Sequence, residues 1–75
     1  MTPHDAWWHP VRQALGRHPA GAPTHDVLDL MAGLVPPASE MEALDALVGW
    51  VEAGLLVTRS DHGTVYFLLA PAPRS

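Results

Sequence analysis

Apolar residues recur at steps of three and four through Met41, Leu44, Val48, Val51 and Leu55, with Leu47 beside them. That period predicts an amphipathic helix whose apolar stripe faces a core. Ser39 opens it with Glu42 three residues on, the pattern of a capping box, and Gly54 stands where the helix should stop. A second stripe, Val27, Leu28, Leu30, Met31 and Leu34, predicts a helix from about His25 to Leu34. Thr24 is its expected cap, Asp26 and Asp29 suit its N-terminal end, and Val35-Pro36-Pro37 ends it. The first helix allows two readings. Thr2-Pro3-His4-Asp5 resembles an N-cap, a first-turn proline and an acidic third position. Pro10 would then lie in the helix interior, where proline costs about 3 kcal/mol. Either a helix over about Asp5–Arg17 kinks or restarts at Pro10, which is the favoured reading, or it begins at Pro10 and ends near His18. In the second case Val11, Ala14, Leu15 and His18 share a face. Pro19-Ala20-Gly21-Ala22-Pro23 breaks the pattern.

Beyond Gly54 the helical period gives way to short apolar runs. Leu55–Arg59 and Thr64–Leu69 read as strands, and Ser60-Asp61-His62-Gly63 reads as a hairpin loop with glycine where positive φ is expected. A lone hairpin is unstable in water, so the helices must cover one of its sides. The expected class is α+β, mainly α: three helices followed by a C-terminal two-stranded hairpin. Residues 1–70 form one domain and the Pro-rich 71–75 a disordered tail.

Composition supports a core but offers no covalent staple. The 75 residues are 48% hydrophobic and include no cysteine, so stability must come from packing or from a partner subunit. The opening MTPHDAWWHP lacks a basic run and does not resemble a signal peptide. No stretch approaches the roughly 20 apolar residues of a membrane span. The expectation is a soluble, cytoplasmic protein, and the lysine-free, Ala-, Pro- and Arg-using composition suggests a GC-rich bacterial genome.

The sequence that carries a family resemblance is Leu44-x-x-Leu47-Val48-x-x-Val51-Glu52-x-Gly54-Leu55-Leu56-Val57-x-Arg59, followed by Gly63-x-Val65-Tyr66-Phe67-Leu68-Leu69. It is similar to the junction between the third helix and the wing in winged-helix (winged helix-turn-helix) domains. The likeness covers roughly residues 8–70. It implies a short first strand near 22–24, at Ala22-Pro23-Thr24, beside the wing. Many such domains place the third helix in the DNA major groove and the wing on the backbone. Others use the fold for protein docking or dimerisation.

Charge argues against the first of these uses. The net charge is −4, lysine is absent, and the basic residues are Arg12, Arg17, Arg59 and Arg74. Five histidines add charge only under mildly acidic conditions. Nucleic-acid affinity comes largely from neutralising phosphates. The residues matching the DNA-facing start of the third helix are Ala38, Glu40, Glu42, Ala43, Asp45 and Ala46, and their carboxylates would repel the backbone. Arg12, Arg17, Arg59 and His62 are the candidate nucleic-acid contacts under the alternative reading, a DNA-binding transcriptional regulator.

With Leu44, Val48 and Val51 taken as core, the outward face of the third helix reads Glu42, Ala46, Gly49, Ala53, with Ala43 and Trp50 alongside. Small residues let another backbone come close, and a flanking tryptophan can anchor a contact. This set, joined by Trp7, is the expected protein interface. The competing explanation is an alanine-rich helix whose Trp50 covers the protein's own first helix. Trp7 and Trp8 cannot both point inward, so one should pack on the core and the other stay partly exposed.

Nothing points to chemistry. His4 and His9 are five apart, a poor spacing for two ligands on one helical face, and His25-Asp26 and Asp61-His62 read as surface pairs. Ser60-Asp61-His62 has the residue types of a triad, but neighbours on a turn cannot form its relay. No catalytic residue, cofactor, metal or small-molecule substrate is expected. The leading expectation is a non-enzymatic module that docks to a protein partner or a second copy of itself, in a regulatory or nucleoprotein complex. It would bind nucleic acid weakly in isolation and no membrane.

Overall fold

The computed structural model describes residues 3–71. In chain order the elements are α1 (Pro3–Leu15), β1 (Ala22–Pro23), α2 (Thr24–Ala32), α3 (Glu40–Glu52), β2 (Leu56–Asp61) and β3 (Thr64–Leu69). The expected α+β class with three helices is present. The hairpin gains a third strand, because β1 pairs antiparallel with β3 through Ala22–Phe67 and Pro23–Tyr66. The sheet order is β1-β3-β2. The expected N-cap Thr2 lies outside the described residues, as does the expected tail apart from Pro71.

α1 runs unbroken through Pro10. Proline cannot donate to the carbonyl four residues back, here that of Ala6. Ala6 is exposed, so water can take the missing donor's place. Trp7, Val11 and Leu15 repeat every four residues and are all buried. Trp7 also donates from Nε1 to the carbonyl of Pro36 at 2.7 Å, which ties α1 to the α2–α3 connection. Trp8 is half-buried and stacks at a tilt on Trp50, with ring centroids 5.1 Å apart.

α2 buries Val27 and Met31, with Leu28, Leu30 and Leu34 packed against the core, as the sequence pattern indicates. Its start differs from expectation. Thr24 makes no cap; its hydroxyl donates to the carbonyl of Val65 at 2.9 Å, binding α2 to β3 instead. Thr24 is already the first residue of α2, with Pro23 at the cap position, and β1 delivers it directly beside β3.

α3 begins with the expected capping box. Ser39 Oγ accepts from the Glu42 amide at 3.2 Å, and Glu42 Oε1 accepts from the Ser39 amide at 3.1 Å. It ends in a Schellman arrangement: Leu55 N–H donates to Trp50 O at 2.9 Å and Gly54 N–H to Val51 O at 3.0 Å. The hairpin turns through His62 (φ 50°) and Gly63 (φ 79°), both at positive φ, the combination that type I′ turns need to match strand twist. Pairing therefore runs to Asp61–Thr64, and β2 extends two residues past the expected strand end at Arg59.

The expected rotation of α3 is wrong. Its buried residues are Ala43, Ala46, Leu47 and Trp50, whereas Met41, Leu44 and Val48 are exposed and Val51 is half-buried. Two stripes competed for the core. The inward one combines two alanines, which let α3 approach its neighbours closely, with Trp50, whose indole buries more apolar surface than any single residue of the other stripe. Ala38, whose backbone N–H donates to Met31 O at 3.0 Å, is buried just ahead of α3 and helps fix its entry.

Ala46 is 0% exposed and Val48 is 55% exposed, so arginine at the two sites should act oppositely. Ala46→Arg should cost about 3 kcal/mol or more, because it overfills the core and buries a charge. Val48→Arg should stay within about 0.5 kcal/mol of wild type, as surface changes do. Urea unfolding followed by circular dichroism measures both, and equal losses would refute this packing of α3.

Candidate functional site

The packing of α3 decides what the protein offers to its surroundings. Met41, Leu44 and Val48 are 81%, 40% and 55% exposed. Single exposed apolar residues are ordinary, but consecutive ones on one helical face form a patch. The steps of three and four keep them in line. Half-buried Val51 continues the line, and Leu55, 42% exposed, follows just past the helix end. At the N-terminal end, Ser39, Glu40, Met41 and Leu44 line an open hollow of about 460 Å³. Glu40, Asp45 and Glu52 border the stripe, and all three are exposed.

The residues expected at an interface do not share a face. Ala43, Ala46, Trp50 and Trp7 are core residues. Trp50 instead covers α1 by stacking on Trp8, as the competing explanation held. Glu42 is exposed and serves the capping box. Gly49 is half-buried beside open space, and Ala53 is the exposed C-cap. The exposed stripe is visible in the sequence as a period, and the period alone predicts an interior face. Its total apolarity gave no sign that a neighbouring stripe, richer in alanine, would win the core.

The arginines are distributed over separate elements. Arg12, in the last turn of α1, lines a cleft with Trp8, Gly54, Leu55 and Leu69. Arg17 is exposed beyond the end of α1. Arg59 is committed to the fold. Its guanidinium lies 4.3 Å from the Tyr66 ring centroid, across the strand pair. Its Nε donates to Ala20 O at 3.0 Å, and Nη1 is 3.6 Å from Asp61 Oδ2. The backbone of Gly21 (φ 100°) lies against the same sheet face, where a Cβ would come within 3.0 Å of Leu68 and Tyr66. His62 is at the turn with Nδ1 3.0 Å from Asp61 Oδ1. The hairpin tip thus places one carboxylate, that of Asp61, beside both of its candidate phosphate contacts.

Among the described residues no three His, Asp or Glu side chains are grouped to hold a metal ion. No helix among them is long and apolar enough to cross a membrane.

The geometry makes Arg59 a structural clamp between β2, β3 and the segment before β1. Arg59→Ala should lower stability by about 1 kcal/mol, from a lost hydrogen bond and a surface cation–π contact. It should leave binding to random duplex DNA unchanged. Chemical denaturation and a duplex titration at low salt check the two halves. A large loss of duplex affinity with no loss of stability would assign Arg59 to phosphate contact instead.

Comparison of the chain with protein-family models, with curated proteins and with solved structures finds no match.

Proposed function

We propose that this chain is a small, non-enzymatic module of winged-helix type that works by docking to protein through the outward face of α3. The helix order, the hairpin and the β1-β3-β2 sheet support the winged-helix reading. One observation carries the functional part: α3 turns Met41, Leu44 and Val48 to solvent, with carboxylates alongside. In a winged-helix DNA reader the corresponding face meets bases and phosphates. Here it has no Lys or Arg, and an apolar surface bordered by acid repels a polyanion. The same surface suits a protein contact, where desolvated apolar anchors contribute most of the affinity. Its position on a helix capped at both ends keeps it rigid, so docking needs little ordering of the main chain.

Val48→Arg tests this function. The variant should fold and should lose association with the protein that wild type captures, and Leu44→Arg should repeat the result. Random duplex should bind both variants and wild type weakly at about 0.15 M salt, since few phosphates can be neutralised. Affinity capture, melting temperature and duplex titration on the same samples are the measurements. Unchanged capture in both folded variants, or tight duplex binding with a steep salt slope in wild type, would overturn the proposal.

A further inference from the structure

Resting on the docking reading, the charge pattern around the stripe identifies the class of partner. Met41, Leu44, Val48 and Val51 follow steps of three, four and three, the seam spacing of two-helix packing. In such packing the positions just outside the seam meet their counterparts on the partner helix and set partner choice. On α3 these flanking positions are Glu40 before Met41, Asp45 after Leu44 and Glu52 after Val51. The remaining one is Leu47, which is buried in the core. Every charged flank of this seam is therefore acidic.

A second copy fits this seam badly. Paired in parallel, two copies would set Glu40 against Asp45 of the other. Paired antiparallel, they would set Asp45 against Glu52, or Glu40 against Glu40. Each arrangement opposes like charges, which disfavours a partner. Arg12, Arg17 and Arg59 lie on other elements, so none of them occupies a flanking position of the seam. We infer that the α3 face receives an amphipathic helix of a different protein, apolar at the same three–four spacing and carrying Lys or Arg on its flanks. The acidic border then has two effects. It attracts the basic helix, and it keeps the exposed stripe of one copy from pairing with that of another. The seam covers only residues 41–51, about 15 Å at the helical rise, so the contact is short. A short seam makes the flanking charges a large share of its selectivity.

The probe is a synthetic peptide of about three heptads, with leucine at the seam positions and lysine on every flank, and a twin carrying glutamate on every flank. Fluorescence anisotropy of each labelled peptide is titrated with the full chain, and sedimentation gives the chain's own state. The expected result is a monomeric wild type that binds the lysine peptide at least about tenfold more tightly than the glutamate twin, with the difference shrinking as salt rises. Val48→Arg should abolish binding of the lysine peptide while keeping the wild-type melting temperature. Glu52→Lys, on an exposed flank, should reduce the preference for lysine. Equal binding of the twins would overturn the charge inference and leave the docking reading standing. A wild-type dimer that Val48→Arg splits would also overturn it, in favour of a second copy as occupant. Failure of both peptides to bind would overturn it outright. The docking reading itself falls on separate results: capture of a protein partner indifferent to Val48→Arg and Leu44→Arg, or tight, salt-steep duplex binding by the wild type.

Discussion

The rest of the structure depends on how α3 is seated. Ala43, Ala46, Leu47 and Trp50 pack inward, and their small–small–large–large sequence lets α3 lie close to its neighbours while filling the space at its C-terminal half. Trp50 links this seating to α1 through Trp8. It also accepts the Leu55 amide in the turn that launches β2. Close packing makes such an arrangement unforgiving, because an interior without voids cannot absorb an added side chain. In a chain of this size with no disulfide, a few residues of this kind hold a large part of the stability.

Several tertiary ties then converge on the same framework. The Trp7 indole reaches Pro36 O across 29 residues, Thr24 reaches Val65 O across 41, and Arg59 reaches Ala20 O across 39. The first and third tie α1 and β2 to irregular segments, and the second ties α2 to β3. Each also uses a side chain that local sequence would assign elsewhere: an interface tryptophan, a helix cap and a phosphate-binding arginine.

Seating α3 by its alanine-rich side has a consequence at the surface. A helix with apolar residues on two adjacent stripes can bury only one of them against its own domain. The unburied stripe becomes the exposed Met41–Leu44–Val48 face, and the acidic residues already present beside it become its border. Under the proposed function, the fold and the docking surface are two products of one choice of helix rotation.

Most local signals were legible in the sequence, although Thr24 does not cap α2 and β2 runs past Arg59. The capping box at Ser39 and Glu42, the stop at Gly54, the α2 stripe at Val27 and Met31 and the turn at His62-Gly63 all depend on residues a few positions apart. The acidic, lysine-free character of α3 was equally plain. What the chain could not declare by itself was which stripe of α3 turns inward, that Trp7 rather than Trp8 is buried, or that Arg59 is spent on Tyr66 and Ala20. Periodicity reports that a face is apolar, but it does not report the shape of the space that must receive it. That shape is made by α1, α2 and the sheet together, and it accepts small residues and one large ring where a row of medium-sized aliphatics would have held α3 too far away.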